Sequence, residues 1–135
     1  MPQAKDGMLL IITCTYSGMP PENTKGLATW LDGSEAAKQL KGVNFSVFGI
    51  GNSQWRATYQ KFLRKVDEKT SKSGAARLVD FMPADTDGGQ VDLALTRWSL
   101  AVVIALFRQV GIPLPASLAD QLYEKITPLD TFVRE

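Results

Sequence analysis

Two aromatic residues stand in stretches that otherwise have the composition of polar loops. Tyr16 lies in TCTYSGMPPENTK, residues 13–25, two positions before Gly18, and Trp55 follows Gly51 by four positions. Glycine permits positive φ and a close approach of the backbone to a ligand, and an aromatic ring offers a flat face. Either ring alone could instead fold back onto the core. Together the two stretches favour a site for a planar ligand.

A third polar stretch, ADTDGGQ at residues 84–90, carries Asp85 and Asp87. Carboxylates at this spacing, followed by two glycines, are typical of a solvated turn whose side chains accept hydrogen bonds from local amides. We interpret the stretch as such a turn rather than as a metal site.

Composition excludes several kinds of chemistry. The chain of 135 residues has no histidine, which excludes Ser-His-Asp and Cys-His nucleophilic sites and nearly all common zinc sites. The net charge of +1, from 15 basic and 14 acidic residues, indicates neither a nucleic-acid nor a membrane partner. The apolar run at 8–14 is too short for a signal peptide or a membrane span, which predicts a cytoplasmic chain. The single cysteine, Cys14, is predicted to be a buried, inert thiol.

Short apolar runs alternate along the chain with longer segments of helical period. The run at 8–13 predicts a strand that is buried on both faces. A helix follows it, with Asn23 as the N-cap and Gly33 at the end. The same patterns predict strands at 44–50 and 76–82 and helices at 58–73 and 90–110.

This alternation predicts a doubly wound α/β fold with a parallel sheet. Ligands of that class bind at the loops that follow the carboxyl ends of the strands, and all three polar stretches occupy such positions. The segment LAVVIALF, residues 100–107, is apolar all round and predicts a buried helix centre or a partner surface.

Three segments together carry a resemblance to a known family. They are LLIITCTYSGMPPENTKGLATWLD, then LKGVNFSVFGIGNSQWRATYQKF, and later ADTDGG. In order and spacing they resemble the FMN-binding flavodoxin-like domain of diflavin reductases of the NADPH-cytochrome P-450 reductase type, in particular that of self-sufficient P-450 fusions. The resemblance covers residues 7–107 and implies a flavodoxin-like three-layer fold.

The resemblance also implies which residues hold the cofactor. The first loop would place Tyr16 on one face of the FMN isoalloxazine, and the second loop would give backbone contacts to the ring and place Trp55 on its other face. The implied cofactor-binding residues are Thr15, Tyr16, Ser17, Gly18, Met19, Gly51, Asn52, Ser53 and Trp55.

The function that the resemblance implies is electron transfer from NADPH through FAD and FMN to a haem monooxygenase. FAD, NADPH and haem would be bound by other modules, fused to this chain or docked on it. No residue of this chain would be catalytic, so that monooxygenase activity would belong to a partner haem domain.

The chain departs from the family pattern at its start. The family holds the FMN phosphate at a Gly/Thr/Ser-rich loop between its first strand and first helix, and no such segment is found here. We therefore expect residues 1–112 to form a partial flavodoxin-like domain that lacks the family's first strand, first helix and second strand, with 113–135 as a linker or tail. The strand at 8–13 would then have an unpaired edge.

Two alternatives to a reductase fragment remain open. The chain could be a degenerate remnant that no longer holds flavin and acts as an interaction module. It could also be a small oxidoreductase that binds a flavin by its ring alone. The aromatic loops favour flavin binding, whereas the missing phosphate loop favours the remnant.

Overall fold

In a computed structural model, the chain is described at residues 7–16 and 19–113 and at positions 115, 117 and 121. Strand β1 is Met8–Cys14 and strand β2 is Asn44–Gly51, and both agree with the sequence prediction to within one residue at their ends. The two strands are parallel, with Met8 opposite Asn44 and Cys14 opposite Ile50. The parallel sheet predicted from the alternation of elements is therefore confirmed.

The third predicted strand, at 76–82, is interrupted. Its first part is β3, Ala76–Arg77, and a later segment, Met82–Asp85, forms β4; both are parallel to β2. Between them the chain bends away from the ladder, and the hydroxyl of Ser46 donates to the carbonyl oxygen of Val79 at 3.0 Å. The bend places β4, rather than one long strand, beside the end of β2.

The helices fill the crossovers between the strands. They are α1 (Glu22–Leu31), α2 (Ser34–Leu40), α3 (Lys61–Lys72) and α4 (Val91–Gln109). The predicted N-cap of α1 is wrong, because Pro21 has the extended cap conformation and Asn23 lies inside the first turn. Helix α2 is absent from the sequence prediction, and Gly33, expected to end a helix, is also the N-cap of α2. No helix in the described part of the chain is long and apolar enough to span a membrane.

Two apolar clusters hold the layers together, one on each face of the sheet. On the first face, Ile11, Phe45 and Val47 pack against α1, α2 and α3. On the second face, Phe48 packs against α4, and its ring centroid is 5.5 Å from that of Trp98. Strand β2, whose side chains alternate between these clusters, is the centre of the fold.

Strand β1 differs from the prediction in its burial. Ile11 is buried, but the side chains of Met8, Leu10 and Ile12 on the second face are exposed. The reason is positional, because in the described part of the chain α4, the helix on that face, packs mainly on β4 and β2. Cys14, at the end of β1, is half-buried rather than buried.

The predicted helix bounds at 58–73 and 90–110 are close to those of α3 and α4. Helix α3 starts later than predicted, because Gln60 before it has a left-handed backbone with φ of 60°. The apolar run at 100–107 is only partly buried: Val102 and Ile104 are buried, whereas Val103 is exposed. The linker or tail predicted at 113–135 lies largely outside the described residues and stays a prediction.

Candidate functional site

The polar loops meet at the carboxyl edge of the sheet. The first loop follows β1, the second follows β2, and the third follows β4. The amide of Thr15 donates to the carbonyl oxygen of Ile50 at 3.0 Å, so that the first two loops depart from neighbouring points. This is the edge at which doubly wound proteins bind their ligands.

The first loop is a tight reverse turn that presents its aromatic ring to solvent. The amide of Tyr16 donates to the carbonyl of Met19 at 2.8 Å, and the amide of Met19 donates back at 2.7 Å. The side chain of Tyr16 is 74% exposed and that of Met19 is also exposed. Ser17 and Gly18, between them, lie outside the described residues.

The second loop is closed by its own hydrogen bonds. The side-chain oxygen of Asn52 accepts from the amide of Gln54 at 2.8 Å, and the carbonyl of Asn52 accepts from the amide of Trp55 at 3.0 Å. The carbonyl of Trp55 in turn accepts from the amides of Thr58 and Tyr59. Trp55 is 48% exposed on this ordered loop.

The reason for glycine at position 51 is steric. Gly51 belongs to β2 and is not among the described glycines with positive φ. A Cβ added there would lie 3.2 Å from the side-chain nitrogen of Gln60 and 3.3 Å from the ring of Tyr59. The expectation that Gly51 serves a positive φ is therefore wrong, and the residue admits Tyr59 and Gln60 beneath the loop.

The Asp85 carboxylate joins the second loop to the third. It accepts from the amide of Ser53 at 3.0 Å and from the amide of Asp87 at 3.0 Å. Hydrogen bonds from the Ser53 side chain and amide lower the pKa of Asp85 below its ordinary value. The predicted turn with local amide bonds is confirmed, and the amide of Ser53 is already engaged within the protein.

A cavity of about 460 Å³ opens between the second and third loops. The side-chain nitrogen of Gln54 crosses it to the carboxylate of Asp87 at 3.0 Å. The sequence patterns did not indicate Arg56 and Tyr59 as site residues, although these residues follow Trp55 by one and four positions. The cavity is lined by Ser53, Gln54, Arg56, Tyr59 and Asp87.

The ring and the phosphate of FMN make different demands on the described residues. Exposed rings at Tyr16 and Trp55, on adjacent loops, fit a flat isoalloxazine. A phosphate fits a helix N-terminus free of negative charge, but Glu22 stands in the first turn of α1 and Asp92 in that of α4. The first turn of α3, which follows the second loop, carries no acidic residue. The described residues therefore include two candidate stacking rings, whereas α1 and α4 offer no favourable phosphate site.

Helices on both faces of a parallel sheet define a doubly wound α/β protein. The family model described as Flavodoxin matches residues 3–98. The chain belongs to the flavodoxin family.

Curated relatives of the chain are fusion proteins. It is 39% identical over 117 residues to the bifunctional cytochrome P450/NADPH–P450 reductase of Bacillus cereus, which covers 87% of this chain and 11% of that protein. It is 43% identical over 74 residues to bifunctional cytochrome P450/NADPH–P450 reductase 2 of Bacillus subtilis, covering 55% of this chain and 7% of that protein. The chain thus spans a small part of these relatives.

Solved structures show the same fold. A flavodoxin from Pseudomonas aeruginosa, solved as a cysteine-to-serine mutant, superposes with a TM-score of 0.59 at 19% identity, covering 73% of this chain and 65% of that one. A short-chain flavodoxin associated with a bacterial microcompartment superposes with a TM-score of 0.53 at 18% identity, covering 71% of this chain and 64% of that one. The predicted flavodoxin-like α/β fold is confirmed.

Proposed function

We propose that this chain is part of an FMN-binding electron-transfer domain and that it holds the flavin ring between Tyr16 and Trp55. The observation that carries the proposal is the exposure of two aromatic rings on adjacent loops of one sheet edge. Tryptophan is highly buried on average in folded proteins, so that an exposed tryptophan beside an exposed tyrosine at this edge supports a contact with a ligand.

The residues of this chain would position the ring and shield it from water. Stacking on each ring contributes about 1 kcal/mol beyond the burial of area. The loops are held in place by internal hydrogen bonds, so that little loop ordering opposes binding. The amide of Ser53 is bound to Asp85, and contacts to the ring edge would therefore come from the backbone of Gly51 or Asn52.

FMN would supply the redox chemistry, accepting electrons from a reduced FAD and passing them to a haem. The relatives named as P450/NADPH–P450 reductase fusions support this route. FAD, NADPH and haem would be held by fused or docked modules. The chain would need no proton-transfer residue of its own, which is compatible with the absence of histidine.

A second candidate function is that of a flavin-free interaction module. The acidic first turns of α1 and α4 favour it, because they leave the phosphate of FMN without a matching helix terminus in those elements. In this case Tyr16 and Trp55 would contact a protein partner instead of a flavin.

An FMN titration tests the first proposal. Flavin fluorescence is followed as purified chain is added, for the natural sequence and for Tyr16→Ala and Trp55→Ala. Both side chains are exposed, so that neither substitution should unfold the chain. We expect saturable quenching, with the dissociation constant raised about fivefold by each substitution, as loss of about 1 kcal/mol predicts.

Trp30→Phe is the matched control, because Trp30 packs on the first apolar cluster, away from the loops. It changes the tryptophan content and should leave FMN affinity unchanged. Quenching that is equally strong in Trp55→Ala would refute the ring site, and absence of saturable quenching in the natural sequence would favour the interaction module.

A further inference from the structure

Gln60 adopts a backbone conformation that is unfavourable for its residue type. It precedes α3 with φ of 60° and ψ of 0°, in the left-handed region, and within the described residues no other residue except glycine has a positive φ. Its side chain does not cap the helix that follows. Backbone strain of this kind persists only where the surrounding structure enforces it, and it is concentrated at functional sites. The conformation therefore serves the placement of the side chain.

The side chain of Gln60 is also unfavourably placed. It is 1% exposed, and its carboxamide oxygen has no hydrogen-bond partner among the described residues, which is costly for a buried acceptor. Two glycines of β2 make room for it, since a Cβ at Gly49 or Gly51 would contact its carboxamide. Methionine would fill the same space without an unpaired oxygen, so that packing alone does not explain a carboxamide at this position.

The carboxamide nitrogen connects the strand ends from which two loops depart. It donates to the carbonyl of Gly49 and reaches that of Ala84. Gly49 lies near the end of β2, before the second loop, and Ala84 lies in β4, one residue before Asp85. Since Gln60 stands at the end of the second loop, directly before α3, its side chain closes that loop at the base.

The loop that Gln60 closes carries Trp55. The amide of Tyr59, the residue before Gln60, donates to the carbonyl of Trp55 at 2.8 Å. On the other side, the amide of Trp55 donates to the carbonyl of Asn52. The indole is half-exposed, so that its place depends on the loop backbone more than on packing. A change at the base of the loop should therefore move the indole.

The same carboxamide fixes the second loop relative to the third. Beyond Ala84, the Asp85 carboxylate accepts from the amide of Ser53. The two loops are thus joined at two levels, at the strand ends by Gln60 and within the loops by Asp85. Asp85 is only half-buried, whereas Gln60 is sealed from solvent. A hydrogen bond is stronger in a dry environment, so that Gln60 forms the firmer of the two connections.

We propose that Gln60 is a positioning residue for the ring site, whose carboxamide holds the second loop in the conformation that presents Trp55 at the sheet edge. A loop that is already ordered before binding loses less freedom when the ring stacks on it. Gln60 lies beneath the loop and would not contact the flavin, so that it acts through Trp55. The proposal rests on the proposed function, which supplies the reason for the strained backbone and the unpaired oxygen.

A purely structural link between β2 and β4 is the alternative. In that case Gln60 would contribute to the free energy of unfolding and have no specific effect on Trp55. Two substitutions remove the carboxamide in different ways. Gln60→Met retains the volume of the side chain and removes the donor. Gln60→Gly also relieves the left-handed strain, because glycine adopts positive φ readily, and serves as the second variant if Gln60→Met does not fold.

The first test is hydrogen exchange by NMR, without FMN. Gln60→Met and Gln60→Gly should accelerate exchange of the loop amides of Trp55 and Tyr59 by about tenfold or more, because the loop opens locally. Val43→Ala is the matched control, since Val43 is buried in the first apolar cluster and precedes β2 at the end opposite the loops. It should accelerate the amides of the β1–β2 ladder and leave those of the loop unchanged. Loop amides that respond alike in the Gln60 variants and in Val43→Ala would overturn the proposal.

The second test is FMN titration of the folded variants, as confirmed by circular dichroism. Gln60→Met should raise the dissociation constant by about fivefold, the factor expected for loss of stacking on Trp55, and Val43→Ala should leave it unchanged. Since Gln60 acts through Trp55, the double variant Trp55→Ala with Gln60→Met should bind no more weakly than Trp55→Ala alone.

Unchanged affinity in Gln60→Met, or losses that add in the double variant, would overturn the proposal. Absence of saturable binding in the natural chain would instead refute the proposed function. The exchange measurement, made without FMN, would then decide by itself whether Gln60 positions the loop.

Discussion

The side-chain nitrogen of Gln60 donates to the carbonyl oxygen of Gly49 at 3.0 Å and reaches that of Ala84 at 3.3 Å. One buried carboxamide thereby joins the ends of β2 and β4, from which the second and third loops depart. Its oxygen is buried and has no hydrogen-bond partner among the described residues. Gln60 also adopts φ of 60°, which shows that local backbone preference is overruled to place this side chain.

Gly49→Ala should destabilise the chain. A Cβ at this position would lie 2.8 Å from the side-chain oxygen of Gln60 and 2.9 Å from the ring of Phe81. Overpacking of this kind costs about 1–3 kcal/mol in the free energy of unfolding, which urea denaturation measures. Gly26→Ala is the control, because nothing lies within 4 Å of a Cβ there; in helix α1 it should stabilise by about 0.5–1 kcal/mol. Equal effects of the two substitutions would contradict the packing argument.

Gln60→Glu should make stability depend on pH. A carboxylate cannot donate to the carbonyls of Gly49 and Ala84, and burial raises the pKa of the introduced group above the ordinary value of about 4.3. The folded variant then binds the proton of this group more tightly than the unfolded variant does. The free energy of unfolding is therefore greatest below about pH 4 and falls as pH rises through the pKa of the group in the folded state. We expect a loss of several kcal/mol at neutral pH.

The measurement is urea denaturation of Gln60→Glu from acidic to neutral pH. Gln90→Glu, at the exposed N-cap of α4, is the control and should change stability by about 0.5 kcal/mol or less at each pH. A flat pH profile for Gln60→Glu would mean that water reaches the site and that Gln60 is not a buried link.

Sequence patterns predicted the strands better than the details of the site. Strand β1 could be predicted because seven consecutive residues without charge, proline or glycine form a local signal that needs no knowledge of distant contacts. The role of Gly51 could not be predicted, because it depends on Tyr59 and Gln60, which contact it only after α3 has packed on β2. The pairing of Ser53 with Asp85 joins residues 32 positions apart and leaves no local periodic signal.

The Asp85 carboxylate should stabilise the chain above acidic pH. Its pKa is lowered from 3.8, chiefly by hydrogen bonds from the side chain and amide of Ser53. A lowered folded pKa means that the stabilisation is complete above this ordinary value and is lost as pH falls below it through the folded pKa. Asp85→Asn, which keeps the shape and removes the charge, should lose about 1 kcal/mol at neutral pH, and its difference from the natural chain should shrink in acid.

Thermal unfolding from neutral to acidic pH measures this difference. Asp80→Asn, at an exposed position, removes the same charge and should change stability by about 0.5 kcal/mol or less. If the deficit of Asp85→Asn were the same at all pH values, the carboxylate would not be the source of the stabilisation.

Ser46→Ala should destabilise the chain by more than its small change in volume suggests. The indole nitrogen of Trp98 donates to the Ser46 hydroxyl at 2.8 Å, and that hydroxyl donates to the carbonyl of Val79 at 3.0 Å. Removal of the hydroxyl leaves a buried indole N–H without an acceptor, at a cost of about 1–3 kcal/mol.

Ser99→Ala, at an exposed position of α4, is the control and should change stability by about 0.5 kcal/mol or less. Ser46 lies on the sheet face that α4 covers. Chemical denaturation followed by far-UV circular dichroism tests whether that face is a specifically packed core. A cost for Ser46→Ala no greater than that of Ser99→Ala would mean that solvent reaches the indole and that this face is not sealed.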